Sequence, residues 1–273
     1  MLNLAPVLLP LGDAERATRL AQEAVDRAQQ SGHIPTVAIS HYYACLLAAI
    51  SRDPGGALPH AEALVSLASK HAIPHGLARG KFLLGWARLC AGDLAGKSLL
   101  DEGLDLLREM NLRSFGPFNG TLLAEWEAKM GRVDDGLASL DVQLATVEAT
   151  GERWFHAEMY RTRGVLLRQS KASNVAESEA AFLRAIDIAK GQQARTFELR
   201  AAISLAELYK STDRRQAARA LVESAIADLN DTIAVPEFAE ANALLRSLDS
   251  GPERADGPPH DNRQDAFHGS QDV

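Results

Sequence analysis

Along this chain of 273 residues, apolar and small residues recur at steps of three and four almost without interruption, the spacing of one helical face. The pattern breaks at Gly12-Asp13, Ser31-Gly32, Asp53 to Gly56, Ile73-Pro74, Gly92-Asp93, Asn111 to Pro117, Gly131-Arg132, Thr150-Gly151, Ser170 to Asn174, Gly191 and Thr212-Asp213. Gly, Pro, Asn and Asp terminate helices and form turns, and the intervals between breaks are each about one helix long. Sustained Val/Ile/Thr/Tyr alternation is absent, and Asn119-Gly120 sits between helical patterns rather than between strands. The pattern predicts an all-α chain.

The segments also superimpose. Helix A of each unit carries a large residue followed by a small one. A Gly/Asp/Arg turn follows, then helix B with small, large and small residues at i, i+4 and i+7. Leu84-Gly85 leads through Gly92-Asp93 to Gly96, Leu100 and Gly103, and Leu123-Ala124 leads through Gly131-Arg132 to Gly136 and Leu140. Gly164 precedes Ser178, Phe182 and Ala185, while Leu205-Ala206 leads through Asp213-Arg214 to Ala218, Val222 and Ala225. The second unit is less regular, with Tyr42 to Ile50 as helix A and Ala57, Ala61 and Leu64 along helix B. The first keeps only Gly12-Asp13 and a B helix with Ala17, Ala21 and Ala24.

Small residues on helix A let helix B approach, and the large residue fills the gap between neighbouring pairs. A single pair cannot bury its apolar face, so successive pairs stack. The template resembles the tetratricopeptide pattern, with a looser spacing of about 40 residues in place of about 34. The expected architecture is a right-handed α-solenoid of about six tetratricopeptide-like helix pairs over residues 1–249. Residues 250–273 are polar and rich in Pro, Gly and Asp, and they read as a disordered tail because they cannot bury enough surface to offset ordering entropy.

Two stretches sharpen the comparison. Gly151-Glu-Arg-Trp154-Phe-His-Ala-Glu158-Met-Tyr-Arg161-Thr-Arg-Gly164 and Gln192-Gln-Ala-Arg195-Thr-Phe-Glu198-Leu-Arg200-Ala-Ala-Ile-Ser204-Leu-Ala206 resemble consecutive signatures of one tetratricopeptide array. Gly85-Trp86 and Glu62-Ala-Leu fit the same array. It forms the C-terminal region of large bacterial class III adenylate/guanylate cyclases and predicted signal-transduction ATPases. The resemblance spans residues 12 to 248. Two features depart from it. Ile233-Ala-Val-Pro-Glu-Phe238 replaces an aromatic-rich closing segment, leaving Ala241 to Leu248 as the last helix, and Met1 falls inside the first repeat without upstream cyclase or P-loop domains. The resemblance therefore implies the sensory or interaction part alone.

Composition narrows the function. Lys and Arg total 29 against 36 acids, a formal charge of −7, which argues against a nucleic-acid partner because phosphate binding rests on clustered cations. No apolar run reaches the length of a membrane span, and the N-terminal run lacks a basic start and is broken by Pro6 and Pro10. Cys45 and Cys90 lie in apolar helical patterns without CxxC spacing and read as two buried thiols of a cytoplasmic protein.

Catalytic motifs are missing. Gly92 to Ser98 ends in Gly-Lys-Ser, but its first glycine is one residue too near for a P-loop and no strand precedes it. An all-helical chain has no adjacent strands to carry a cyclase's paired metal-binding aspartates. His71 and His75 have HxxxH spacing, yet Pro74 disrupts the helix between them and no third ligand is near. The chain is expected to be no enzyme, with no cofactor and no metal.

One functional lead remains. In tetratricopeptide stacks the A helices line the concave groove, and their outward charged positions here are Arg79, Glu125, Glu158, Arg161, Arg168, Arg200, Glu207 and Lys210. Arg161, Arg168, Arg200 and Lys210 form a basic strip suited to an acidic peptide or carboxylate terminus; as a solvated face they would instead make ordinary pairs such as Glu207 with Lys210. Trp86, Trp126 and Trp154 lie in apolar runs and read as packing residues. The expected function is a non-catalytic interaction and regulatory module of bacterial signalling whose groove binds a protein partner. The alternatives are a C-terminal piece of a larger cyclase or ATPase, and the effector-sensing domain of a transcriptional regulator. An exposed flank on the truncated first repeat would favour self-association.

Overall fold

A computed structural model describes residues 4–170, 175–227 and 236–249. The predicted tail and the stretches 171–174 and 228–235 lie outside the described residues. Among the described residues every regular element is a helix: α1 (Ala5–Leu8), α2 (Ala14–Ser31), α3 (Ile34–Ile50), α4 (Pro54–Lys70), α5 (Pro74–Cys90), α6 (Gly96–Glu109), α7 (Gly116–Lys129), α8 (Val133–Thr150), α9 (His156–Ser170), α10 (Val175–Gln192), α11 (Arg195–Ser211), α12 (Arg215–Ala227) and α13 (Pro236–Asp249). None of them is long and apolar enough to cross a membrane.

The arrangement is a solenoid-like stack. Successive helices pack on one another except α6 and α7, and each odd-numbered helix also touches the next odd-numbered one from α1 to α13. The odd helices form the inner layer, and their sequences show it. Helices α3, α5, α7 and α11 bury side chains around most of their circumference, whereas α2, α4, α6 and α12 bury a single stripe such as Ala57, Ala61, Leu64 and Ala68.

The turns share one device. Left-handed residues recur about every 20 positions: Gly12, Gly32, Arg52, Ala72, Gly92, Asn111, Gly131, Gly151, Gln193 and Asp213. At most of them the residue's own N–H and that of the next residue bond back into the last turn, as Gly92 N–H to Leu89 O (3.1 Å) and Asp93 N–H to Arg88 O (2.9 Å). This closure satisfies the orphan carbonyls of the helix end. The Asp that follows then caps the next helix: the Asp53 carboxylate accepts from Gly56 N–H at 2.8 Å and the Asp13 carboxylate from Arg16 N–H at 3.3 Å.

The small positions of the template are sites of close approach. A Cβ on Gly103 would fall on the backbone nitrogen of Phe82 and 2.8 Å from its Cα, and one on Gly85 would fall on Leu100 N and 2.6 Å from Gly96 O. Helices α5 and α6 therefore meet backbone to backbone, with Leu100 filling the space beside the contact.

A further contact ties the two ends of the stack together. The loop after α1 reaches the start of α11, where Thr196 N–H donates to Pro10 O (3.0 Å) and Thr196 Oγ1 to Leu9 O (2.6 Å). Ala194, the N-cap of α11, offers no capping side chain, so the Pro10 carbonyl takes a helix N–H instead, while the Leu9 carbonyl takes the Thr196 hydroxyl. Around this contact Tyr42, Phe115, Trp154, Phe118, Phe155 and Phe197 form an unbroken series of ring contacts from α3 to α11, with centroids 5.0–6.0 Å apart. Ala5, Leu8 and Leu9 pack into the same core. The first half-repeat is thus folded into the stack and closes one end of its interior.

Two stability outcomes follow. Gly103→Ala is expected to lower stability by about 1–3 kcal/mol in urea titrations, although alanine is the better helix former, because the added methyl has no space. Thr196→Val, which leaves the Leu9 carbonyl buried without its donor, is expected to cost about 1–3 kcal/mol in the same titration.

Candidate functional site

Away from the aromatic closure, the inner faces of the odd-numbered helices surround a cavity of about 790 Å³. Its walls come from the C-terminal halves of α3, α5, α7, α9 and α11, with Glu240 of α13 at the edge. One wall is apolar, made by Trp86, Leu122 and Trp126 together with Val165, Leu166 and Ile203. Trp86 and Trp126 are buried as expected of packing residues, and they also face this space. Cys90 borders it as well and is only partly buried, in contrast to Cys45. Burial raises the pKa of the Cys90 thiol.

Beside the apolar residues, on the same helices, is an ionic network. Arg161 Nε bonds Glu158 Oε1 at 2.9 Å and Arg161 Nη2 bonds Glu125 Oε1 at 3.1 Å, while Thr162 Oγ1 donates to the same Glu125 oxygen at 2.9 Å. Arg200 Nη1 lies 3.4 Å from Glu158 Oε2, and Arg200 Nε bonds Glu237 Oε1 at 2.6 Å. The series links α7, α9, α11 and α13, one inner helix to the next. The side chains of Arg161, Glu158 and Arg200 are 4, 3 and 2% exposed. Burial opposes the charge on Glu158, but Arg161, Arg200 and Arg52 outweigh it and hold its carboxyl below the ordinary value. Burial likewise opposes the charge on Arg161, and Glu158 and Glu125 more than offset it.

Arg52 completes the arrangement from the turn after α3. It borders the cavity, is exposed to solvent, and makes no ion pair among the described residues. The like charge of Arg161 and then desolvation lower its pKa, against the opposing pull of Glu158 and Glu125. Lys129, at the end of α7, is a second exposed cation on the border without an ion pair among the described residues.

The sequence-predicted positions divide into three groups. Glu125, Arg161, Arg200 and Glu207 do border the cavity. Glu158, Arg161 and Arg200, expected to face outward, are instead buried and ion-paired, because inner helices pack against one another as well as against their own B helices. Arg79 lies over the Tyr42 ring, 4.8 Å from its centroid, and lines none of this cavity. Arg168 pairs with Glu207 at 3.6 Å across α9 and α11, and Lys210 donates to Ser247 Oγ at 2.8 Å. The expected Glu207–Lys210 pair does not form, and the four cations make no continuous basic strip. Arg52, Lys129 and Glu240 were not among the predicted positions. The signal for Arg52 was present, since Arg52-Asp53 stands where other units have Gly12-Asp13 and Gly92-Asp93.

The remaining polar features are isolated. Exposed His71 and His75 flank the turn between α4 and α5. His41 and His60 bring their Nδ1 atoms to 3.1 Å, and burial lowers the pKa of both. No group of three or more His, Cys, Asp or Glu side chains is placed to hold a metal among the described residues. A second cavity of about 500 Å³, largely apolar, lies at the closed end between Pro6, Val7, Leu11, Tyr43 and Trp154.

No family model matches the chain. It is 27% identical over 147 residues to an uncharacterized protein of Rhizobium meliloti (strain 1021); the match takes in 53% of the chain and 14% of that protein. The chain therefore spans a small part of that relative's length.

The ionic wall sets an acid sensitivity. Glu158 stabilises the fold while ionised, so its contribution is present above the unfolded carboxyl pKa of about 4.3 and is lost as pH falls through its lower folded value. Glu158→Gln is expected to cost about 3–5 kcal/mol at neutral pH and to flatten the loss of stability below about pH 4.3, read from denaturation midpoints across pH.

Proposed function

We propose that this chain is a non-catalytic recognition module of the tetratricopeptide type, working in bacterial signalling, and that its working surface is the interior cavity. The observation that supports this reading is the combination of an aromatic wall, carrying Trp86 and Trp126, with a rigid ionic wall carrying Arg161 and Arg200 in one concave space. Apolar surface supplies affinity in such a site and a few fixed polar groups supply specificity. The motifs around Trp154 and Arg200 support the tetratricopeptide assignment. The length of the Rhizobium relative supports placing such a module within a longer protein; the cyclase or ATPase setting draws its support from the motifs alone.

Capture of a protein partner is the first use of this surface. A volume of about 790 Å³ favours a short occupant. That volume supports a second use, the sensing of a small effector. Self-association draws its support from α1, where Leu4, Val7 and Leu11 stay exposed beside the smaller apolar cavity.

Ser204 borders the main cavity on α11, and Asp187 is exposed on the outer helix α10. Ligands selected from a random peptide library against the whole chain are expected to bind Ser204→Trp at least tenfold more weakly and Asp187→Trp as well as the parent. Binders indifferent to Ser204→Trp in calorimetry would overturn the assignment of the cavity as the working surface.

A further inference from the structure

The left-handed position after each inner helix is the least expensive place in this fold for glycine. Gly12, Gly92 and Gly131 occupy it at φ of 98, 86 and 78°. The equivalent turn after α3 carries Arg52 at φ 59°. Its backbone closure is unchanged, with Arg52 N–H bonded to Ala49 O at 3.1 Å and Asp53 N–H to Ala48 O at 2.9 Å. A side chain at this φ is strained relative to glycine, as it also is at Asp213, the corresponding position after α11 at φ 59°. The Arg52 side chain makes no hydrogen bond or ion pair among the described residues and borders the cavity.

What surrounds Arg52 selects the class of occupant. Glu125 and Glu158 are the carboxylates acting on it most strongly, and both are already engaged, Glu125 by Arg161 and Thr162, and Glu158 by Arg161 and Arg200. Arg161 and Arg200 are held in place by those bonds and present positive charge toward Arg52 without moving. Lys129 adds a second accessible cation. The remaining carboxylates on the border are Glu207, paired with Arg168, and Glu240 on α13. The wall between is Trp86, Leu122 and Trp126. A volume of about 790 Å³ suits a small molecule.

We propose that the cavity binds a small organic acid, its carboxylate held by Arg52 and its apolar body laid against Trp86 and Trp126. This rests on the cavity being the working surface and adds the chemistry of its occupant. The guanidinium offers two parallel donors to a carboxylate, and Glu125 and Glu158 do not compete for it because they are already bonded to Arg161, Thr162 and Arg200.

The test uses the whole chain with hexanoate, phenylacetate and 3-phenylpropionate, their neutral amides, and inorganic phosphate, followed by calorimetry and tryptophan fluorescence. At least one carboxylate is expected to bind saturably and perturb the tryptophan emission, with its amide at least tenfold weaker and phosphate leaving the emission unchanged. Arg52→Gly is expected to lose at least tenfold in carboxylate affinity while its Tm stays equal or rises, since glycine relieves the strained turn. Arg52→Lys is expected to retain part of the affinity. The proposal is overturned if no carboxylate binds, if amides bind as tightly as acids, or if Arg52→Gly binds unchanged. Acids and amides bound equally and both lost in Ser204→Trp would remove the carboxylate and leave the cavity reading standing. Binding that survives both Arg52→Gly and Ser204→Trp would remove both.

Discussion

No helix pair in this chain can shield its own apolar face, and everything else follows from how the pairs share that burden. The inner helices are apolar around most of their surface, so each needs its outer partner on one side and a preceding and a following inner helix on the others. Small residues at the crossings set the distance. Where glycines on α5 and α6 meet, the backbones are nearly in contact and a single methyl is excluded. Stacking of this kind has two exposed ends, and a repeat fold must cover them.

At one end the chain covers itself. The Pro10 carbonyl caps the start of α11, the Leu9 carbonyl accepts from the Thr196 hydroxyl, and α1 packs into the core that holds the aromatic rings contributed by α3, α7, α11 and the turn before α9. This contact joins residues far apart in sequence. The same constraint that packs inner helices against one another also buries their charged positions. Glu158, Arg161 and Arg200 escape the cost of burial only by bonding across repeats, and that leaves a stiff ionic wall facing an aromatic one. A rigid, desolvated frame of fixed charge holds a ligand's ionic group without first having to order itself.

Much of this was legible in the residues. The period of three and four, the small-large-small stripes and the Gly-Asp turns gave the helices, their breaks and their pairing, because each is a local property of neighbouring residues. Gly85, Gly96 and Gly103 were recognisable as packing positions before any partner was known, since an interior glycine in a helix is unfavourable unless another backbone needs the space. Of the charged A-helix positions, Glu125, Arg161, Arg200 and Glu207 border the cavity, and which of them would be paired was not readable. Arg161 meets Glu125 and Arg200 meets Glu237 only after separate repeats are superposed at a particular angle.

The sequence by itself determined an all-helical stack with regular turns, for period and turn chemistry act over a few residues and do not wait for distant contacts. The tertiary structure alone decided that α1 packs into the stack, that Glu158, Arg161 and Arg200 turn into one buried network, and that Arg52 borders the cavity without an ion pair among the described residues. Those outcomes depend on the angle between repeats, which is the sum of many small packing preferences and is written at no single position.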